Sequence, residues 1–301
     1  MAEIELEIGE EDEGQRLDVV LARRVQGLSR ARAKQWVAEG AALVDGRRAK
    51  KSHALRRGER VTIERLSAPR DFDASPDPDV PLEVLLETDA WVVIDKPAGV
   101  PSHPLAPGER GTAAGALVAR YPEMRGVGYA RREPGILHRL DTDTSGVLLA
   151  ARDAPTFEAL RAQFRAGDIH KHYLARCIGT VPAPTVIDTP IANDPRDRRK
   201  VRACSDPREA KRLRASPARS EVVTSAPAEH GCLVTVSASD ARRHQIRVHL
   251  ASIGHPLLGD TLYGGPGLEG LRRHLLHALA IRFTDPGTGR SIEVRSKATT
   301  I

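Results

Sequence analysis

Near the start of the chain, apolar residues fall at helical spacing. Leu17, Val20, Leu21 and Val25 line one face of a helix that ends near Gly27. A second helix starts with Ser29 as N-cap and stops at Gly40, which can adopt the left-handed C′ conformation; Trp36 and Val37 are available for packing. Ala42-Leu43-Val44 then meets Asp45-Gly46, a hairpin turn, and Val61-Thr62-Ile63 reads as a closing strand. Residues 67–80 carry three prolines, four aspartates and no apolar periodicity, the composition of a linker. Beyond it, apolar runs predict strands at Trp91–Ile94, Val147–Ala151, Tyr173–Ile178, Glu221–Thr224, Leu233–Ser237, Leu275–Ile281 and Ile292–Val294. Helices are expected at Thr112–Arg120 and at Pro155–Arg165, the second capped by Asp153 or Ala154. Strands outnumber helices and do not alternate with them, so the fold class is α+β. The expected organisation is a small α/β domain over residues 1–66 with an acidic tail (1–13), a linker (67–80), and a second domain (81–301) built on a large mixed, mainly antiparallel sheet.

Charge changes the picture more than length does. The 301 residues carry a net charge of +6, but residues 14–66 alone hold a local +9 and residues 196–219 a local +7. Clustered Lys and Arg neutralise phosphates and release counterions, so two such clusters point to a polyanionic partner. The second cluster either tracks an RNA backbone or forms a flexible surface loop. No apolar run approaches the roughly 20 residues of a membrane span, and the N-terminus lacks a signal-peptide pattern. Three widely spaced cysteines without a CxxC pair suggest neither a disulfide framework nor a zinc ribbon, and the cytoplasm is the natural compartment.

Candidate chemistry begins at "GILHRLDTDTSGVLLAARD", where a polar loop meets an apolar strand. From the residues alone, Asp141 and Asp143 suit a two-carboxylate glycosidase, His138 suits a metal, and all of them suit a turn bonding its own backbone. Further on, Ile246, Leu250 and Ile253 mark one face of a helix ending at Gly254. His244 and His249 lie about 140° apart around that helix, so they cannot readily share a metal.

Two resemblances resolve these alternatives. "RLDVVLA", "LSRARAKQWVAEGAALVDG" and "LRRGERVTI" resemble the ribosomal protein S4-type RNA-binding domain, which implies that Arg30, Arg32, Lys34, Arg47 and Arg48 face RNA phosphates. "HRLDTDTSG" resembles the active-site motif of the RluA-type pseudouridine synthases. "VVIDKPAGVPSHP", "HKHYLARCIG", "RRHQIRVHLASIGHPLLGDTLYG" and "LLHALAIRF" resemble further family blocks in family order. The resemblance implies an isomerase converting uridine in RNA to pseudouridine without metal or cofactor. Asp141 would be the nucleophile, Tyr173 would stack on the base and relay a proton, and Arg247 would partner the aspartate. Arg139 would fill the gap left by the flipped base, with His138, Thr144 and Leu276 also at the substrate.

The chain departs from the family in two places. Ala241-Arg242-Arg243 stands where Gly-Arg-Thr or Gly-Arg-Ser is usual, putting the local turn in doubt and offering Arg243 to a phosphate, and Thr142 stands where a basic residue is common. Large-subunit ribosomal RNA is the expected substrate, with transfer RNA as the alternative, and the enzyme is expected to be a monomer. A non-catalytic RNA-binding or ribosome-assembly protein, or a hydrolytic N-glycosidase that releases uracil, are the competing readings.

Overall fold

The computed structural model describes residues 4–25, 28, 30–50, 52–63, 72–239, 241–298 and 301, with the side chains of Ala31, Arg32, Gln35 and Glu39 outside the description. The chain divides into two compact units, Met1–Asp71 and Phe72–Ile301.

In the first unit, strand β1 (Ile4–Glu7) precedes helices α1 (Leu17–Arg24) and α2 (Arg30–Glu39) and strands β2 (Ala42–Val44), β3 (Arg47–Arg48) and β4 (Arg60–Ile63). The strands form one sheet in the order β1-β4-β2-β3. Leu17, Leu21, Val37, Val61 and Ile63 are buried in its core, as the apolar spacing predicts. The expected N-cap at Ser29 lies outside the described residues. The expectation of an acidic tail over 1–13 does not hold. β1 pairs with β4 along its length, Ile8 joins the core, and the buried Asp12 carboxylate accepts hydrogen bonds from Arg23 and Arg24. Acidic composition conceals structure here because the buried charge is paired.

In the second unit, β5 (Glu83–Glu87), β6 (Trp91–Lys96), α3 (Ala113–Arg120), β7 (Ser145–Ala151), α4 (Ala154–Ala166) and β8 (His170–Cys177) come first. Then follow β9 (Thr185–Ile187), β10 (Ile191–Asn193), β11 (Val201–Ala203), α5 (Pro207–Leu213), β12 (Ser220–Ala228), β13 (Gly231–Ser237), α6 (Gln245–Ser252), β14 (Leu276–Thr284) and β15 (Ser291–Arg295). A nine-stranded sheet runs β5-β6-β7-β14-β8-β13-β12-β9, with β15 beside β14. It is mixed and mainly antiparallel: β7 and β14 form its parallel pair, in register at Ser145 and Gly146 against His277 and Ala278. Gly146, at φ 115°, makes that approach possible; a Cβ there would lie 2.2 Å from the Ala278 carbonyl oxygen. Five of the seven expected strands lie within observed ones, the other two overrun β8 and β14 by one residue each, at Ile178 and Leu275, and Thr112 and Asp153 cap α3 and α4 through their side chains.

The short strands β9, β10 and β11 and helix α5 were not legible, since three-residue strands leave little alternation to detect. The basic stretch 196–219 is consequently no flexible loop: it holds β11 and α5, and β11 pairs with β10. Two of the three cysteines, Cys177 and Cys232, stand opposite each other on β8 and β13 as free thiols.

Residues 72–80 are also not a linker. They lie along α3, where the Asp77 backbone N–H donates to the Gly115 carbonyl (3.0 Å), and Ala74 is buried. Gly115 permits this close approach. Asp77 accepts from Arg110 (2.9 Å) and from the Gly111 N–H (2.8 Å), and these bonds hold its carboxyl down to about 2. A carboxyl so lowered contributes stability above its unfolded value of 3.8 and loses that contribution as pH falls towards about 2. Asp77→Asn is therefore expected to melt below wild type at pH 5–7, with the gap closing between about pH 4 and 2. Calorimetry across that range checks it, and a gap independent of pH would remove the ionic account of this strap.

Candidate active site

The site forms where the loop entering β7 meets α6 and the start of β14. Thr144 N–H donates to the Asp141 carbonyl (3.0 Å), closing a turn with Thr142 and Asp143 at its tip. Asp143, expected to be a turn residue, occupies the third position of that turn. Ser102 grips Leu140 from both sides: its hydroxyl donates to the Leu140 carbonyl (2.9 Å) and accepts from the Leu140 N–H (3.0 Å). Lys96, fully buried at the end of β6, donates to the carbonyls of Pro97 (2.9 Å), Val100 (2.6 Å) and Thr142 (3.1 Å). Burial pulls its ammonium down to about 8, against the opposing pull of Asp141 and Asp143. Lysine and serine together bind the 97–104 segment to the turn that carries Asp141.

Arg247, on the first turns of α6, donates through Nη1 to Asp141 Oδ2 (2.9 Å). Its fork is occupied elsewhere: Nε and Nη2 donate to the two oxygens of Asp260 at 2.7 and 2.9 Å. The bidentate partner is thus Asp260, and Asp141 receives a single bond. Burial works against the guanidinium charge, but Asp260 and then Asp141 outweigh it and raise its pKa. Both His244 Nε2 (3.7 Å) and Arg247 approach Oδ2. Among the described residues, no hydrogen bond reaches Oδ1, and the Asp141 side chain stays 21% exposed.

Tyr173 is buried on β8 and lines the same cleft; burial first, then the Asp141 charge, push its phenol pKa up. Thr144 and Leu276 line it too. Thr144 Oγ1 is bonded to His274 Nε2 (2.8 Å), an imidazole that burial, and then Arg247, draw down to about 4. The cleft is narrow, about 30 Å³. It adjoins a groove of about 750 Å³, and exposed Arg139, together with Asp141, lines both.

His138 lines the larger groove, and its Nε2 accepts the Leu149 N–H (3.1 Å). Burial, and then the Lys171 charge, keep its pKa well below the ordinary imidazole range. Arg243 lies outside α6 and donates to the carbonyls of Arg198 and Lys200, both at 3.0 Å. Through its Nη2, Arg243 is thus tied to the basic segment. The divergent turn is held by Gln245, whose Oε1 accepts the Arg242 N–H (3.1 Å) while Nε2 donates to the Arg219 carbonyl (2.9 Å). His249 has both ring nitrogens engaged, by Ser220 Oγ and the Thr189 carbonyl, each at 2.9 Å.

In the first unit, Arg30, Lys34, Arg47 and Arg48 are exposed, and the Arg32 side chain lies outside the described residues. Arg47, Arg48, Lys50 and His53 border a groove of about 540 Å³. Arg30 lies 3.7 Å from the buried Asp18 carboxylate. Burial would raise the Asp18 pKa, but Arg16, then Arg30 and Lys34, bring it below the usual range.

Sequence reading missed Lys96, Ser102, Asp260 and His274 as parts of this site. Lys96 could have been found as the cation that, with Asp95, ends the apolar run Trp91–Ile94.

These features agree with comparison to known proteins. Residues 90–252 match the RNA pseudouridylate synthase family, and residues 15–61 match the S4 domain. The chain belongs to the RNA pseudouridylate synthases, of the RluA type with an S4 domain, and is an isomerase acting on RNA. It is 38% identical to the ribosomal large subunit pseudouridine synthase D of Xanthomonas campestris, covering 93% of this chain and 84% of that one. It is 37% identical to an uncharacterized RNA pseudouridine synthase of Chloroflexus aurantiacus, covering 92% and 84%. The solved structure of human RNA pseudouridylate synthase domain containing 1 shares the fold at TM-score 0.56 and 22% identity, over 74% of this chain and 86% of that one. Among the described residues, no helix is long and apolar enough to cross a membrane.

Losing Arg247 strands Asp260 in the interior, whereas losing Asp141 leaves the buried pair intact. Arg247→Ala is expected to cost about 3–5 kcal/mol in urea unfolding, and Asp141→Ala to stay within about 1 kcal/mol of wild type. Equal losses in the two variants would refute the separation of roles.

Proposed function

We propose that this enzyme isomerises uridines of large-subunit ribosomal RNA, with Asp141 as its nucleophile. The observation that carries the assignment is the division of labour at the carboxylate: Arg247 holds Oδ2, and Oδ1 is left to meet a ribose. The reaction breaks the bond between ribose C1′ and uracil N1 and joins C1′ to C5, which then loses its proton while N1 gains one. Electrons and groups balance within the nucleotide, so the overall chemistry requires no redox partner. One carboxylate suffices to trap or stabilise the oxocarbenium-like sugar, since uracil departs as a delocalised anion. Tyr173, kept a phenol by its surroundings, stacks on the base and passes a proton through its hydroxyl. Leu276 and Thr144 pack the pocket around the base.

A base inside a helix is out of reach, so the target is extruded or already unpaired. Exposed Arg139 lines both the cleft and the groove, and its guanidinium fills the gap that the base leaves in the stack. His138 contributes to the wall of the groove on the RNA side. Ribosomal RNA is favoured over transfer RNA because relatives named for the large subunit align along nearly the whole chain, S4 domain included. That substrate places the enzyme in the cytoplasm, where it acts as a monomer. The S4 domain grips phosphates through Arg30, Arg32, Lys34, Arg47 and Arg48.

Pseudouridine mapping in ribosomal and transfer RNA, from cells with and without the gene, tests the substrate. Complementation by Asp141→Ala or Asp141→Asn is expected to reduce modification by more than about a thousandfold. Normal modification by either variant would take Asp141 out of the mechanism, and release of free uracil would favour a hydrolase. Replacing the five basic S4 residues by Gln should flatten the plot of log affinity against log salt by about 4. An unchanged slope would mean that those charges face solvent.

A further inference from the structure

Resting on the reading of Asp141 as nucleophile, we infer that His244 is a positioning residue for it, held by Tyr263 in the tautomer that presents Nε2–H to the carboxylate. The Tyr263 hydroxyl accepts the Val201 N–H at 2.9 Å and lies 2.9 Å from His244 Nδ1. With its acceptor side occupied by the amide, the hydroxyl turns its hydrogen to Nδ1. In a neutral imidazole, the remaining hydrogen then sits on Nε2, the nitrogen 3.7 Å from Asp141 Oδ2. That separation is longer than a hydrogen bond. Such contacts are often long without substrate and tighten in the reacting complex.

Two further observations show that the placement is built. His244 sits at φ 55°, in the left-handed region that side chains rarely adopt, immediately before α6. Burial lowers its pKa, although Asp141 pulls the other way, so the neutral ring on which the tautomer argument depends is the one present. The turn 260–263 serves both supports of Asp141. Asp260 grips Arg247, and Tyr263 grips His244 while its ring lies 5.2 Å from the Arg247 guanidinium carbon. Arg247 and His244 therefore both approach the same oxygen, and each is oriented by its own residue of one short turn. Oδ2 is pinned, and Oδ1 keeps a defined direction.

The test uses the full-length protein and unmodified large-subunit ribosomal RNA transcribed in vitro, following single-turnover release of the uracil C5 hydrogen. His244→Leu and His244→Gln suffer the same left-handed strain and are similar in size, but only Gln offers an N–H near the position of Nε2. His244→Leu is expected to slow the step by between about tenfold and a hundredfold, with RNA affinity within about twofold of wild type. His244→Gln should recover most of that rate. Tyr263→Phe should slow the step too, and should add little in the His244→Leu background. A wild-type rate for His244→Leu, no recovery by Gln, or multiplicative losses in the double variant would each overturn the proposal. If His244→Leu does not fold, Tyr263→Phe decides alone, a wild-type rate counting against it. Activity persisting in Asp141→Ala would instead overturn the assignment of the nucleophile.

Discussion

Arg247 lies between two carboxylates of unequal exposure, and the rest of the site is arranged around that inequality. Asp260 is sealed from solvent and takes two parallel bonds from the guanidinium; Asp141 is reached by water and takes one. A buried pair of this geometry fixes the arginine in place before substrate arrives, because breaking it would leave a charge stranded in a poorly solvating interior. The third nitrogen can then aim at Asp141 without a large entropic loss on binding. Preorganisation of this kind separates a site that catalyses from one that merely contains the right residue types.

The other side of Asp141 is held through bonds to the backbone. Lys96 gathers three backbone carbonyls, and Ser102 bonds both faces of the Leu140 peptide, so the turn at 141–144 is attached to β6 as well as to β7. Neither side chain faces the cleft. Their effect is to limit where the backbone of Asp141 can move, and so to match the fixed guanidinium with an equally fixed carboxylate.

Much of this was legible in the sequence. The order of the motif blocks already grouped Asp141, Tyr173, Arg247, Thr144 and Leu276, and the structure brings them to one site. Asp260 was hidden because nothing local distinguishes it: it follows Gly259 in what reads as a plain turn, and its importance comes from a partner thirteen residues away. The 72–80 strap was misread for the opposite reason, since its aspartates look like solvent-loving linker residues until Arg110 and Arg131 are seen to meet them. Arg243 shows how a basic residue beside an active site can be spent on backbone carbonyls. Local patterns report which face of an element is apolar; they do not report which distant charge has been paired.

The parallel contact between β7 and β14 has a further consequence. Asp141 hangs from the β7 side of that contact, whereas Tyr173 and Arg247 belong to the β8 side. β7 and β14 pair in register at Ser145 and Gly146, directly beyond the turn that carries Asp141. A side chain at Gly146 would force this seam apart, and with it Asp141 from Tyr173 and Arg247, so the spacing of the cleft residues depends on a backbone approach that lies outside the cleft itself.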